Sequence, residues 1–269
     1  MSLTLGPGPL GTQPGGDANY RIDGPRHRIW FQEHPRRMRA EIAGRVVLDT
    51  VRGHLLHESN IPPRLYVPLD DFDRGVLEST DHTTYCPFKG DAVYYTVRVG
   101  EDVRENAVWA YPDPKPEAAW LAPFASLYWD RADAWYEEDE RLLGHVRDPY
   151  HRVDTRRTSR PVHVSADDGT EVARSQRAVL LFETGLPARV YVPREDVAAE
   201  LVPSPKRSVC PYKGEATYFS VRVGGRLLED AARSFERPFG EALAVGGLVT
   251  FLHEGIRVAP VTPSAAATR

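Results

Sequence analysis

The stretch TYCPFKGDAVYYTVRVG, Thr84–Gly100, decides the fold, because the chain repeats it as SVCPYKGEATYFSVRVG at Ser208–Gly224. Of the fifteen positions from Cys86 to Gly100, ten are identical in the second copy; the other five exchange Phe/Tyr, Asp/Glu, Val/Thr, Tyr/Phe and Thr/Ser. The chain's two cysteines, Cys86 and Cys210, stand at the same place in each phrase. In both, proline and glycine force a turn that feeds a strand rich in branched and aromatic residues.

Working outward, an offset of 124 carries Pro25-x-His27-Arg28-Ile29 onto Pro149-x-His151-Arg152-Val153, and an offset of 125 carries LLHESNIPPRLYVPLDD at Leu55 onto LLFETGLPARVYVPRED at Leu180. Two diverged tandem copies follow, with unit one expected near 20–143 and unit two near 144–260. Residues 1–19 and 261–269, rich in Gly, Pro or small residues, are expected to be mobile tails.

Each unit reads as mainly β, a tent- or barrel-like arrangement of short strands with short helices. PVHVSADDGTEVARS alternates apolar and polar residues about Asp168-Gly169, which predicts a hairpin with MRAEIAGRVVLDT as its counterpart. Pro193–Leu201 carries proline first and carboxylates next, which predicts a short helix. No βαβ rhythm supports a parallel nucleotide-binding sheet.

The net charge of −4, from 34 Lys plus Arg against 38 Asp plus Glu, supplies no overall basic field and disfavours nucleic acid as a partner. No apolar run approaches the length of a membrane helix and no basic leader opens the chain, so a soluble cytoplasmic protein is expected, with cysteines that need no disulfide. Gly6-x-Gly8-x-x-Gly11 matches a dinucleotide fingerprint only formally, since it contains prolines and follows no strand. His54 and His57 would point to opposite faces of a strand and no Cys-x-x-Cys exists, so no metal site is expected.

In the strand after the turn, Val93, Tyr95, Val97 and Val99 share the core face, leaving Ala92, Tyr94, Thr96 and Arg98 on the other. Unit two repeats that second face with Tyr218, Ser220 and Arg222. With Lys89 or Lys213 at the strand's mouth, this strip can hold a carboxylate or phosphate, or its arginine can simply pair with Glu58 or Glu183. Arg64 with Tyr66, and Arg189 with Tyr191, follow on one face of a neighbouring strand and join the candidate ligand set. Glu58 and Glu183 are candidate general bases or counter-ions. Cys86 and Cys210, each three residues from a lysine, are candidate nucleophiles, with His27 and His151 as bases if folding brings them near, or inert buried thiols. Trp109 either lines a pocket or caps the core; unit two has Arg233 there, so a site using Trp109 would favour unit one.

Both units resemble the domain of unknown function 427, on LLHESNIPPRLYVPLDD, CPFKGDAVYYTV and NAVWAYPDP in unit one, and on LLFETGLPARVYVPRED and CPYKGEATYFSV in unit two. The resemblance implies a compact mainly β domain and no established reaction. A nucleotidyltransferase label sometimes attached to such domains would call for a Gly-Ser turn and metal-binding carboxylates. Unit one offers Asp71-x-Asp73, whereas unit two has Asp196-Val197-Ala198 and neither copy has the turn. The sequence therefore points to binding of a small anionic metabolite, with or without turnover. A non-catalytic protein-interaction module and a nucleotidyltransferase are the alternatives; cofactor and oligomeric state are left open.

Overall fold

A computed structural model describes residue 19 and residues 24–260; the two predicted tails lie almost wholly outside them. Its contacts divide between Asp148 and Pro149 into two compact units. The first contains β1 (Ile29–Glu33), β2 (Met38–Ile42), β3 (Arg45–Thr50), β4 (His54–Glu58), β5 (Ile61–Pro68), β6 (Leu77–Cys86), β7 (Gly90–Val99), β8 (Asp102–Ala110), β9 (Phe124–Leu127), β10 (Ala134–Glu137) and β11 (Glu140–Arg141). The second contains β12 (Val153–Arg157), β13 (Val162–Ala166), β14 (Glu171–Ser175), β15 (Val179–Glu183), β16 (Leu186–Tyr191), β17 (Glu200–Cys210), β18 (Gly214–Val223), β19 (Arg226–Ser234), β20 (Val249–Phe251) and β21 (Ile256–Pro260).

Unit one pairs its strands in the order β1-β4-β5-β9-β8-β7-β6, with a second sheet β11-β10-β2-β3. Unit two repeats the plan in three sheets, β12-β15-β16, β14-β13-β21 and β17-β18-β19-β20. The seam that fuses β5 to β9 through Val67 and Ala125 is reduced there to one bridge between Val192 and Val249. The sheets are open and do not close into a barrel, so the barrel-like option fails while the mainly β reading stands.

The repeated phrase forms the β6–β7 and β17–β18 hairpins, in which Cys86 pairs with Gly90 and Cys210 with Gly214. Gly90 and Gly214 sit at φ +102° and +96°, the left-handed region where a Cβ is strained. A Cβ on Gly90 would lie 3.5 Å from the Asp113 carbonyl oxygen, and one on Gly214 3.3 Å from that of Arg237. The close approach lets Lys89 O accept from Lys115 N–H at 3.0 Å and Lys213 O from Phe239 N–H at 3.2 Å. Conformation requires glycine at both positions, and at Gly214 the close carbonyl adds to it.

Two expectations change. Only Arg194–Asp196 forms a 3-10 turn, and β17 begins at Glu200, so the helix predicted over Pro193–Leu201 is absent; the strand ladder to β18 captures the backbone that helix propensity would have taken. The hairpin about Asp168-Gly169 forms as β13–β14, with Gly169 at φ +86°. Val93, Tyr95, Val97 and Val99 do pack into a core with Met38, Leu48 and Trp135. The opposite face is not open: Ala92 and Tyr94 are buried in a second cluster with Leu56, Tyr66, Trp109, Tyr111 and Leu121. Unit two has the same double core, with Ala216, Tyr191, Leu181 and Phe235 in its second cluster.

Candidate functional site

Glu58 ends β4 and Glu183 ends β15, each just past a shift in strand register that turns the carboxylate inward. A hydroxyl clasp then brings in the start of each unit. Ser59 Oγ accepts the Arg28 N–H at 2.9 Å while the Ser59 N–H donates to Arg28 O at 3.0 Å; Thr184 and Arg152 repeat both bonds at 2.9 and 3.0 Å. The clasp lays His27 Nε2 2.8 Å from Glu58 Oε1, and His151 Nε2 3.1 Å from Glu183 Oε1. The hairpin turn delivers the third member: Lys89 Nζ donates to Glu58 Oε2 at 2.5 Å, and Lys213 Nζ to Glu183 Oε2 at 2.6 Å. Each imidazole stacks on the aromatic residue of its turn, His27 on Phe88 at 3.6 Å and His151 on Tyr212 at 4.0 Å. Both lysine side chains are at least 92 % buried, which locks their charge onto the glutamates and takes it out of reach of a ligand. Burial pushes the Glu183 carboxyl up, but His151 and Lys213 outweigh it and hold it at about 2, well below the usual range.

Around this His–Glu–Lys triad the sequence-predicted residues divide. Tyr66 is buried and its hydroxyl accepts the Trp109 indole N–H at 3.0 Å, with burial holding the phenol well above its usual pKa. Tyr94 shares a hydrogen bond with Thr84 Oγ1 at 2.9 Å, as Tyr218 does with Ser208 Oγ at 2.9 Å. Trp109 packs on Tyr128, whose phenol is pushed up to about 12 by burial and by Tyr94. Cys86 and Cys210 are free thiols that pack against the second clusters, and the histidines once considered as their bases are bonded to the glutamates instead. Arg64 is exposed and Arg189 half-buried beside Tyr191. Arg98 and Arg222 leave the group altogether, pairing in solvent with Glu78 at 2.7 Å and Glu200 at 2.9 Å rather than with Glu58 or Glu183. Thr96 Oγ1 and Ser220 Oγ hold the Asn106 and Asp230 N–H groups at 3.2 Å, at positions with φ of +49° and +52°.

Asp71 and Asp73, considered for phosphoryl chemistry, are each committed elsewhere. Asp71 accepts from Thr50 at 2.5 Å and pairs with Arg52; Asp73 accepts from Arg45 Nε at 2.8 Å and from Gly75 N–H at 3.0 Å. Among the described residues no helix is long and apolar enough to cross a membrane.

Two features escaped the sequence. A cavity recurs at the same place in both units, beside the 3-10 turn after β5 or β16, of about 540 Å³ in unit one and about 680 Å³ in unit two. Most of its lining is matched by the repeat offsets, yet its chemistry differs: Glu33 stands where Arg157 does in the second cavity, Leu69 where Arg194 does, and His54 where Val179 does. The second is the setting of Arg233, which β18–β19 pairing places opposite Tyr218 as β7–β8 pairing places Trp109 opposite Tyr94. The offset alone places Arg233 on Trp109, but not its surroundings.

No curated protein matches the chain. A family model described as a domain of unknown function (DUF427) matches twice, at residues 30–138 and 154–262. Each match contains the glutamate, the lysine and the hairpin of one copy, with His27–Arg28 and His151–Arg152 just before it, and the chain belongs to the DUF427 family as a tandem protein.

Proposed function

We propose that this tandem protein binds a small organic anion, and that the second unit takes it in the cavity beside its 3-10 turn. The observation that carries this reading is the change of lining at a cavity the duplication kept. Unit two presents Arg157, Arg177 and Arg194 around a floor of Val179, Pro193 and Leu248. Arg177 bridges Asp196 at 2.7 Å and Glu195 at 3.1 Å, and Arg194 pairs with Glu236, which fixes both guanidinium planes. Arg157 has no carboxylate within ion-pair distance among the described residues. Both cavities have an arginine and a carboxylate at matched positions, Arg52 with Asp70 and Arg177 with Glu195, but unit one has Glu33 where unit two has Arg157 and Leu69 where unit two has Arg194. Guanidinium forks over an apolar floor suit an oxyanion attached to a ring or short chain. The ligand class expected from the sequence is thereby retained, while its place moves from the buried lysines to this arginine-lined cavity.

Calorimetric titration of the full chain with phenyl phosphate and benzoate tests it. One saturable site per chain is expected, weakened at least tenfold in Arg177→Gln/Arg194→Gln and unchanged in Arg52→Gln. Equal binding by the double variant, or no saturable heat at millimolar ligand, refutes it. Recovery of a stable protein partner through this face in place of anion binding would favour the interaction-module reading.

A further inference from the structure

In unit one the Tyr66 hydroxyl has an aromatic donor, while Tyr94 and Tyr128 line a concavity of about 340 Å³ beyond it with His82, Asn106 and Arg131. The Trp109 indole N–H satisfies the Tyr66 hydroxyl at 3.0 Å, and the indole itself packs on Tyr128. Unit two inherits Tyr191 in place of Tyr66 and Tyr218 in place of Tyr94, but has Arg233 in place of Trp109. Tyr191 is fully buried and beside it stands the Arg233 guanidinium, itself only a donor, so the Tyr191 O–H and the buried Arg233 Nε–H both lack an acceptor among the described residues. No carboxylate lies within ion-pair distance of Arg233 among the described residues, and Phe235 supports its guanidinium at 5.5 Å. Lys206 Nζ sits 4.8 Å over the Tyr218 ring, held by Asp230 at 3.3 Å. Two adjacent buried donors without acceptors are costly, and native interiors pair almost all such groups.

From this juxtaposition we infer that Arg233, Tyr191 and Tyr218 form a second anion site in unit two, one that takes a single small oxyanion, a carboxylate or a phosphate. Arg233 supplies the charge and Nε–H. The Tyr191 hydroxyl donates beside it, and Tyr218, already bonded to Ser208 Oγ, closes the side. Burial raises Tyr191 to about 12 despite Arg233, so its hydroxyl stays protonated and able to donate. This site shares no lining residue with the arginine-lined cavity. Here the two units differ in chemistry, Arg233 against Trp109, while agreeing in backbone register.

The test is a titration of the full chain, labelled at tyrosine ring carbons, with sodium acetate and with inorganic phosphate at constant ionic strength. Saturable shifts of the Tyr191 and Tyr218 resonances are expected with at least one anion, the stronger of the two identifying the oxyanion class. They should weaken at least tenfold in Arg233→Gln and severalfold in Tyr191→Phe, and persist in Arg177→Gln/Arg194→Gln. Arg233→Trp, which restores the partner unit one uses, guards against misfolding and should abolish the shifts while keeping the thermal midpoint. The inference is overturned if neither anion moves these resonances, as when only water meets the two donors, or if Arg233→Gln responds like the parent chain. Loss of phenyl phosphate binding alone would sink the cavity and leave this site standing.

Discussion

Replacing Glu183 by glutamine keeps the shape of the buried triad and removes its negative charge. The Lys213 ammonium, with a side chain 5 % exposed, and His151, at 7 %, would then face a neutral amide. Breaking a buried pair by removing one partner typically costs about 3–5 kcal/mol, because a charge is left desolvated without its counter-charge. The depressed carboxyl gives a second route to the magnitude. A fall from 4.5 to about 2 corresponds to ~3 kcal/mol at most, and solvent reaching part of the site brings the expected value nearer ~2 kcal/mol. A carboxyl that binds its proton more weakly when folded contributes fully above its unfolded value of 4.5 and loses that contribution as pH falls towards 2. The parent chain should therefore lose about 2 kcal/mol more than Glu183→Gln across that interval, and at neutral pH the variant should be less stable by about 2–4 kcal/mol. The assay is urea unfolding read by two signals. All five tryptophans, at 30, 109, 120, 129 and 135, precede Asp148, so fluorescence follows unit one while far-ultraviolet dichroism follows both. A variant within 0.5 kcal/mol of the parent, or an identical pH slope in the two chains, would refute the assignment of the triad as a coupled buried charge cluster.

Gly90→Ala and Gly214→Ala should each cost at least ~1 kcal/mol, since a Cβ is strained at their positive φ, with the larger loss at Gly214, where the carbonyl approaches to 3.3 Å; chemical denaturation of the two variants measures it. Tyr66→Phe should destabilise unit one by ~1 kcal/mol by stranding the Trp109 N–H, whereas Tyr191→Phe should leave the ligand-free chain unchanged or slightly more stable; thermal midpoints compare them. Arg98→Ala and Arg222→Ala should alter neither the unfolding midpoint nor anion binding, because both side chains pair in solvent, as calorimetry and titration would show.

What the sequence disclosed follows from what is local. Pro87 and Gly90, with their copies Pro211 and Gly214, announce a turn from conformational restriction alone, and period-two alternation names the residues that share a face of β7. Duplication was legible because the phrase is long. Burial of the second face was not, since it depends on Leu56, Tyr66 and Leu121 arriving from elsewhere in the chain. Lys89 reads as a surface cation until Glu58, 31 positions earlier, is seen 2.5 Å away. Pro193-Arg-Glu-Asp scores as a helix start, yet the β17 ladder lies three residues beyond the turn and takes the chain. Arg98 follows strand alternation into the right face, but at the strand's far end, where that face has already emerged into solvent.

The contrast between the kept triads and the altered aromatic position has a physical basis. His, Glu and Lys come from three separate segments, the unit's start, the end of β4 or β15 and the hairpin turn, so loss of the glutamate strands the buried ammonium and loss of the lysine leaves the carboxylate without its ion-pair partner. Such a cluster resists stepwise substitution even when it does no chemistry. The Trp109 position has a different constraint. In unit two the half-buried Arg233 stands there with its guanidinium over the Phe235 ring. Exchange there costs one indole–phenol hydrogen bond and leaves a cation in return, so the duplicated frame permits in unit two a binding chemistry different from that of unit one, where an indole fills the position.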